Sequence, residues 1–573
     1  MKNSDVRPTP PVPPLVRIGV QGDNILSLSL NDAIRRALEN NSDIEVARGD
    51  VKVAEGTLTS LQGVYDPVFA FNPQITSSVT PTTSSIGGAG ASGTVTLNSQ
   101  QFNSTFTKQF ATGGGQYQLF FNNTRQSTNS TFSRLNPFYS SSFGITFTQP
   151  LLRDRSIDRF RHDIRIQRKK LQQSDSDFRL RTIQIIDSVQ HAYWELRFAR
   201  HAQQVAIDSL NLAREQFRVT ELSVAAGTVA RLNRAEVDTQ IATSETNLLI
   251  ATRNVTTAEN TFKQLVLRDP TAPEWQAEIL PTDAPVDNVL PINLSDALAE
   301  ARANRPELLR LRLQEDINKV DVQFAKNQTL PRVDIVSTIS TTGLAGTAAS
   351  AETLSSSGVT SGAASLGQVP LITGDPNSSA TAFLLSQVNS IRAAQGLIPA
   401  TVPFINVTPN SVPSNLIGGY STTLGNLFSL GTRNIVAGVT IQLPLHNRAA
   451  KGNLAVALSQ RDQLVASMHS EEQAVELDVR NSVQAVDTAR QTVMTARQAT
   501  HSAEFQLAGE LQLFHVGQST TFLVFQRENT LATARNSELR AQADLNNALA
   551  DLQRAMGTTL RTNNIMVEPP TTP

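Results

Sequence analysis

Gly88-Ala89-Gly90-Ala91-Ser92-Gly93 has the G-x-G-x-x-G spacing with which a glycine-rich turn cradles a diphosphate at a helix N-terminus. Here it lies in a Ser/Thr/Gly-rich stretch with no helix opening behind it, so no phosphate cradle is expected. The seven histidines are scattered, and His191 and His201 stand ten apart on one long helical stretch with no H-E-x-x-H pair. They read as surface or interface histidines. Glu471-Glu472 reads as a solvated helix face, and Asp175 and Asp177, two apart, point to different sides of a helix. The chain has no cysteine, which removes a thiolate nucleophile, a Cys-ligated metal and a lipidated N-terminal Cys. Nothing assembles a nucleophile, a base and an oxyanion site. The expectation is a protein that is not an enzyme and needs no cofactor or metal.

Other chemistry must come from architecture. The 573 residues carry 49 Lys+Arg against 50 Asp+Glu, so there is no basic footprint for nucleic acid. No apolar run approaches the roughly 20 residues of a membrane-spanning helix. A β-barrel remains open, because its strands hide their lipophilicity by alternation. Residues 1–26 hold Pro at 8, 10, 11, 13 and 14 without an apolar signal region, and read as an extended tether.

The rest of the chain is a duplication. Leu30-Asn31-Asp32-Ala33-Ile34 recurs as Leu294-Ser295-Asp296-Ala297-Leu298, an offset of 264 that still holds at Pro67 and Pro331. Gly144–Leu151 recurs as Gly438–Leu445, and Val189, Ala199, Gly227, Ala242 and Ala258 recur 290 positions later as Val479, Ala489, Gly517, Ala532 and Ala548. The first repeat spans 27–292, with a β segment at 67–150 and a Pro-rich linker at 269–292. The second spans 293–560, with a β segment at 331–445 that carries a loop insert at 341–427. A tail follows at 561–573.

Each repeat reads in one order. A helix opens it (about 30–64 and 293–328), with Asn31 or Ser295 as N-cap. Alternating strands follow, such as Phe143, Ile145 and Phe147 against Gly144, Thr146 and Thr148. A long helix then carries a seam in steps of three and four, including Leu196, Ala199, Ala206, Leu210, Ala213 and Phe217, mirrored by Val486, Ala489, Val493, Ala496 and Ala503. Alanine in the seam lets neighbouring helices approach closely. A return helix ends the repeat. The lengths predict that each long helix lies beside two short ones stacked end to end: 228–267 with 293–328, and 518–556 with 30–64. The insert is expected to hold a short helix near 379–394 and to form a large loop or partial plug.

Four principal strands per chain cannot close a barrel in lipid, so the barrel has to be shared between copies. At this point the sequence resembles the TolC family of outer-membrane efflux and secretion channels. The carriers are the duplicated L-[NS]-D-A-[IL] openings, Gln149-Pro150-Leu151-Leu152, and His191-Ala192-Tyr193-Trp194-Glu195-Leu196. The hairpin signatures Ala226-Gly227-Thr228-Val229-Ala230-Arg231-Leu232 and Val516-Gly517-Gln518-Ser519 complete the set. The resemblance covers about residues 27–560. It implies a mainly α, α+β fold: a homotrimer with a shared 12-stranded outer-membrane β-barrel in lipid, joined to a long periplasmic α-helical coiled-coil barrel. It implies as partners a periplasmic adaptor (membrane fusion) protein and an inner-membrane transporter. The function would be the exit duct of a tripartite efflux pump or type I secretion system. The alternative is a coiled-coil stalk presenting a β-rich adhesive domain.

The hairpin turns Gly227, Thr228, Val516 and Gly517 are the expected adaptor-docking points. In the family, acidic residues commonly follow the hairpin glycine by six and nine positions and help hold the aperture. Here those places hold Asn233 and Glu236 in the first hairpin, and Leu523 and Gln526 in the second. The expected aperture is therefore apolar, made by Phe522, Leu523 and Phe525, with Arg231, Arg234 and Glu236 on the neighbouring hairpin.

Overall fold

The structure is a computed structural model describing residues 17, 19–20, 24–83, 88–89, 92–130, 133–227, 230–286, 290–349, 368–370, 380–400, 404–406 and 412–566. In chain order its elements are β1 (Ile25–Leu28), α1 (Leu30–Asn40), α2 (Ser42–Gln62), β2 (Val68–Pro81), β3 (Thr94–Gln109), β4 (Gln116–Thr128) and β5 (Leu135–Pro150). There follow α3 (Arg159–Ala225), α4 (Arg231–Val266), β6 (Glu278–Pro281), α5 (Leu294–Asn304), α6 (Pro306–Gln328) and β7 (Arg332–Ala348). The chain ends with β8 (Gln368–Pro370), α7 (Ala380–Ala394), β9 (Phe404–Asn406), α8 (Tyr420–Phe428), β10 (Arg433–Gln442), α9 (Arg448–His515), α10 (Thr521–Ala555) and α11 (Thr559–Thr562). No helix among the described residues is long and apolar enough to cross a membrane. Two units result: a helical one of Met1–Leu61, His162–Ala325 and Lys451–Pro573, and a β one of Gln62–Arg161 and Lys326–Ala450.

In the helical unit the two long helices are near equals, 67 residues in α3 and 68 in α9. Each is about 100 Å long at 1.5 Å per residue. The opening helices differ from expectation at their N-caps. Ser29 caps α1 by accepting from the Asp32 amide at 3.2 Å, and Asn293 caps α5 by accepting from the Ser295 amide at 3.0 Å. Both caps lie two residues ahead of those read from the sequence. Both opening helices also break. Arg305 is extended because the ring of Pro306 excludes the α conformation from the residue before it. In the first repeat the side chain of Asn41 accepts from the Asp43 amide at 2.9 Å and restarts the helix as α2.

The stacking of short helices is the reverse of that predicted. The return helix α4 meets α1 and α2 of its own repeat: Asn40 donates to the Val266 carbonyl at 3.3 Å, and Arg268 pairs with Glu45 at 2.9 Å. Ile34, Ala37 and Ile44 share one core with Phe262, Val266, Ile186, Val189 and Leu196. Likewise α10 meets α5 and α6, where Ala297, Ala301 and Leu308 pack with Val475, Val479 and Ala555. Sequence length could not separate the two pairings, since all four short stretches match. Contact decides it: each return helix comes back to where its own repeat began.

A polar knot fixes that junction. The Tyr193 hydroxyl, fully buried, donates toward Asp283 Oδ2 at 2.8 Å and accepts from the Thr282 and Asp283 amides, both at 3.0 Å. This ties α3 to the segment after β6, which pairs in parallel with β1. Burial pushes the phenol pKa up to about 12, so the donor is retained. Beside it Lys263 and Glu259, both with wholly buried side chains, pair at 2.6 Å, and Lys263 also donates to the Trp275 carbonyl at 2.8 Å. Arg17 reaches Glu259, and pairs with Glu278 at 3.3 Å. The expected tether is therefore docked at Arg17, and ordered strand already begins at Ile25.

In the β unit one antiparallel sheet runs β10-β7-β5-β4-β3-β2. It has six strands, the four principal ones and the extra hairpin β3–β4 around Gly113–Gly115. Its register aligns one apolar row across every strand: Ile435, Ile339, Ile145, Leu119, Phe106 and Phe69. On the opposite face the matching row is Thr342, Ser142, Asn122, Asn103 and Asn72. α7 is the helix foreseen in the insert. Residues 341–348 of the insert are strand rather than loop. Near its end α8 packs on the apolar side at Gly343, where any Cβ would lie 2.0 Å from the Thr423 carbonyl oxygen. This part of the insert lies against the apolar face, so it is no plug of the polar one.

Tyr193→Phe should lower stability by about 1–3 kcal/mol, because it leaves the half-buried Asp283 amide without its acceptor and takes the phenol's proton from the Asp283 carboxylate. Denaturant unfolding of the detergent-solubilised protein followed by tryptophan fluorescence reads this.

Candidate functional site at the helical hairpin tips

Both hairpins turn the same way. Gly227 has φ +76° and Gly517 φ +77°, the left-handed conformation that glycine adopts without a Cβ clash. At the second turn Gln518 donates to the Leu513 carbonyl at 2.9 Å and Gly517 to the Phe514 carbonyl at 3.0 Å, closing the end of α9. At the first, Gly227 donates to the Val224 carbonyl at 3.0 Å. A Cβ at either glycine would meet nothing within 4 Å, so both turns are open to the outside. Val516 and Leu232 beside them are 70% and 71% exposed. Thr228 lies outside the described residues.

Of the expected aperture residues, the structure separates two kinds. Phe522 is 64% exposed and Leu523 is at the exposed edge, whereas Phe525 is 6% exposed. Phe525 packs among Leu210, Ala213, Phe217, Val237 and Ile241, so it belongs to the core joining the hairpins. The signal was present in the sequence: Thr521, Val524, Phe525, Glu528 and Leu531 step by three and four, and all five are buried. Phe522, Leu523 and Gln526 fall on the other side. Arg234 pairs with the buried carboxylate of Glu221 across the turn, which neutralises it. Arg231 and Glu236 remain exposed. The tips touch where the Asn233 amide reaches Thr521 Oγ1 at 3.5 Å, and higher up Gln240 donates to Asn529 at 3.3 Å.

Two charged groups escaped the sequence reading. Glu528 sits inside the α10 stripe, and burial alone pushes its carboxyl up to about 7. His191 stands 3.8 Å from Asp187 and 3.5 Å from Asp551. Among the described residues, these three form the one group whose ligand atoms lie close enough together to share a cation. The Arg554 guanidinium, 3.4 Å from Asp187 and 3.5 Å from Asp551, already supplies the positive charge. The hydrogen bond to Asp551 raises the His191 pKa, and the cluster acts as an ionic tie between α3 and α10. Asp551 is 360 residues from His191, so no local motif could have announced it.

Comparison with known proteins decides the family. Residues 33–266 and 414–558 match the family described as outer membrane efflux protein. This chain belongs to the outer membrane efflux protein family. Solved structures of similar fold include the Campylobacter jejuni CmeC outer membrane channel, with a TM-score of 0.60 at 12% identity, covering 92% of this chain and 86% of that one. The Neisseria gonorrhoeae MtrE outer membrane channel in its open state gives 0.56 at 16% identity, covering 93% and 89%. The Vibrio cholerae outer membrane protein VceC gives 0.56 at 15%, covering 92% and 96%. Sequence comparison with curated proteins finds no match. The efflux protein is thus an outer-membrane exit duct and not an enzyme, as its lack of any catalytic constellation led us to expect.

Glu528→Gln should stabilise this efflux protein in a pH-dependent way. Below pH 4.5 the carboxyl is neutral in the folded and unfolded chain alike, and the substitution changes little. As pH rises from 4.5 to about 7 the unfolded chain ionises first, so the native protein loses stability. The gain from glutamine is therefore greatest above pH 7, reaching at most about 3 kcal/mol per chain. Unfolding midpoints of both proteins at pH 4.5 and pH 8 measure it.

Proposed function

We propose that three copies of this efflux protein form one exit duct, sharing a barrel in the outer membrane and a helical tunnel in the periplasm. An adaptor docks on the hairpin turns and couples the duct to an inner-membrane transporter, which supplies the energy. The single observation that carries this reading is the sheet with two open edges. β2 and β10 have no partner on their outer sides among the described strands, and one face bears a continuous apolar row. Hydrocarbon offers no hydrogen bond to such an edge, so an edge of one copy has to meet the edge of the next. The two edge strands run antiparallel to each other, as this closure requires.

The docking assignment rests on the paired open turns at Gly227 and Gly517, flanked by the exposed side chains Leu232 and Val516. Thr228 belongs to the same signature. The aperture is assigned to Phe522 and Leu523, with Arg231 and Glu236 as the exposed charges of the adjoining hairpin. Arg234 serves the turn itself through Glu221. Closure by apolar packing suits a duct that is sealed until a partner pries the tips apart, because such contacts carry no directional bonds to break.

Phe522→Ala and Leu523→Ala should each raise single-channel conductance in planar bilayers; unchanged conductance in both would remove these residues from the aperture. Val516→Glu should leave a heat-modifiable trimer intact while weakening co-purification of the adaptor by tenfold or more, about 1.4 kcal/mol. Full retention of the adaptor would move the docking site elsewhere.

A further inference from the structure

Among the described residues the second repeat adds no hairpin like β3–β4 to the six-stranded sheet; its short pair β8–β9 stands in a sheet of its own. The duplication matches β2 with β7, through Pro67 and Pro331, and β5 with β10, through Gly144–Leu151 and Gly438–Leu445. What remains is a pair of strands inserted between β2 and β5, and in the sheet they stand exactly between those two neighbours in space as well. We infer that this hairpin is part of the barrel wall, so that three copies close on eighteen strands and enclose a wider lumen than a twelve-stranded member of the family. The inference rests on the trimeric reading above.

Four features make the hairpin wall rather than appendage. Its strands are full length, 16 residues in β3 and 13 in β4, where about 9–11 residues cross a membrane. Both are paired along that length, β3 to β2 from Thr107 to Thr94 and β4 to β5 from Gln116 to Gln126. They carry the same two faces as the other strands: Phe106 and Leu119 continue the apolar row, and Asn103 and Asn122 the polar one. Finally, their turn is fitted to its place. Gln149 donates to the Gly113 carbonyl at 2.7 Å, and a Cβ at Gly114 would lie 2.5 Å from the Asp154 carbonyl oxygen.

An inserted hairpin adds two strands, which preserves the alternation of direction and leaves β2 and β10 antiparallel. Closure between copies is unaffected. Barrel diameter grows about in proportion to strand number, so the lumen is about 1.5 times as wide and about twice the cross-section. The polar row that would face it, Asn72, Asn103, Asn122, Ser142 and Thr342, carries no charge. A wider lumen lined by this uncharged row selects cargo by size at a larger limit.

Electron cryo-microscopy of the full-length protein in lipid nanodiscs counts the strands directly. A trimer with eighteen strands is expected. A trimer with twelve, its β3–β4 hairpin folded outside the wall, overturns the inference and leaves the trimeric duct standing. A particle that is not a trimer overturns both. Polyethylene glycols added on the extracellular side of a planar bilayer give a second readout that the periplasmic tips do not limit. Their partition cut-off radius should be about 1.5 times that of a twelve-stranded relative, and an equal cut-off overturns the inference.

Discussion

A strand edge in hydrocarbon leaves a row of N–H and C=O groups with neither water nor protein to bond, and each costs several kcal/mol. The β unit of this efflux protein has two such edges, β2 and β10, and cannot satisfy them alone. In the shared barrel proposed above, that constraint makes the chain a fragment of a larger wall. It also explains the character of the strands. A wall with lipid on one side and water on the other needs Ile, Leu and Phe at alternate positions, with Ser, Thr and Asn between them, and this is how the rows through Ile145 and Ser142 are composed.

The helical unit meets a different constraint. Long helices joined by a single left-handed glycine gain little from the turn itself, so their position has to be held elsewhere. Two kinds of contact do so. Apolar seams run along α3 and α9, with alanine at Ala199, Ala213 and Ala503 keeping the neighbours close. Polar knots fix the sliding that a regular seam permits. Tyr193 through Asp283, Lys263 through the Trp275 carbonyl, and the cluster of Asp187, His191, Asp551 and Arg554 each tie a helix at one height. A one-turn slip would leave several of these groups buried without partners.

At the tips the packing thins out to a small core around Phe525, Phe217 and Val237, and the side chains beyond it are exposed. Glu528 lies within this region as a buried carboxyl with no ion-pair partner among the described residues, an arrangement that costs stability at neutral pH. In the duct proposed above the tips open, and elements that open are drawn from the less stable part of a structure. The division between Phe525 inside and Phe522 outside follows from the turn of the helix: at about 100° per residue Phe522 lies just past the edge of the stripe of Thr521, Val524, Phe525, Glu528 and Leu531.

The sequence by itself determined the duplication, the mainly α composition, the alternation of the strands, the glycines that reverse the helices and the absence of catalytic chemistry. All of these are local or periodic, and a chain carries such information in the open. The family was legible for the same reason, since its signatures sit at turns and strand ends. Only the tertiary structure decided which short helix each return helix meets, because four stretches of like length leave that choice to side-chain contact. It decided that Phe525 is core, although the stripe of threes and fours was there to be read. It alone brought Asp551 to His191 and Asp283 to Tyr193, across separations at which no spacing rule applies. And it alone placed the hairpin at Gly113–Gly115 between β2 and β5. Whether two extra strands extend a wall or fold aside depends on hydrogen bonds to neighbours far away in the chain, which composition does not specify.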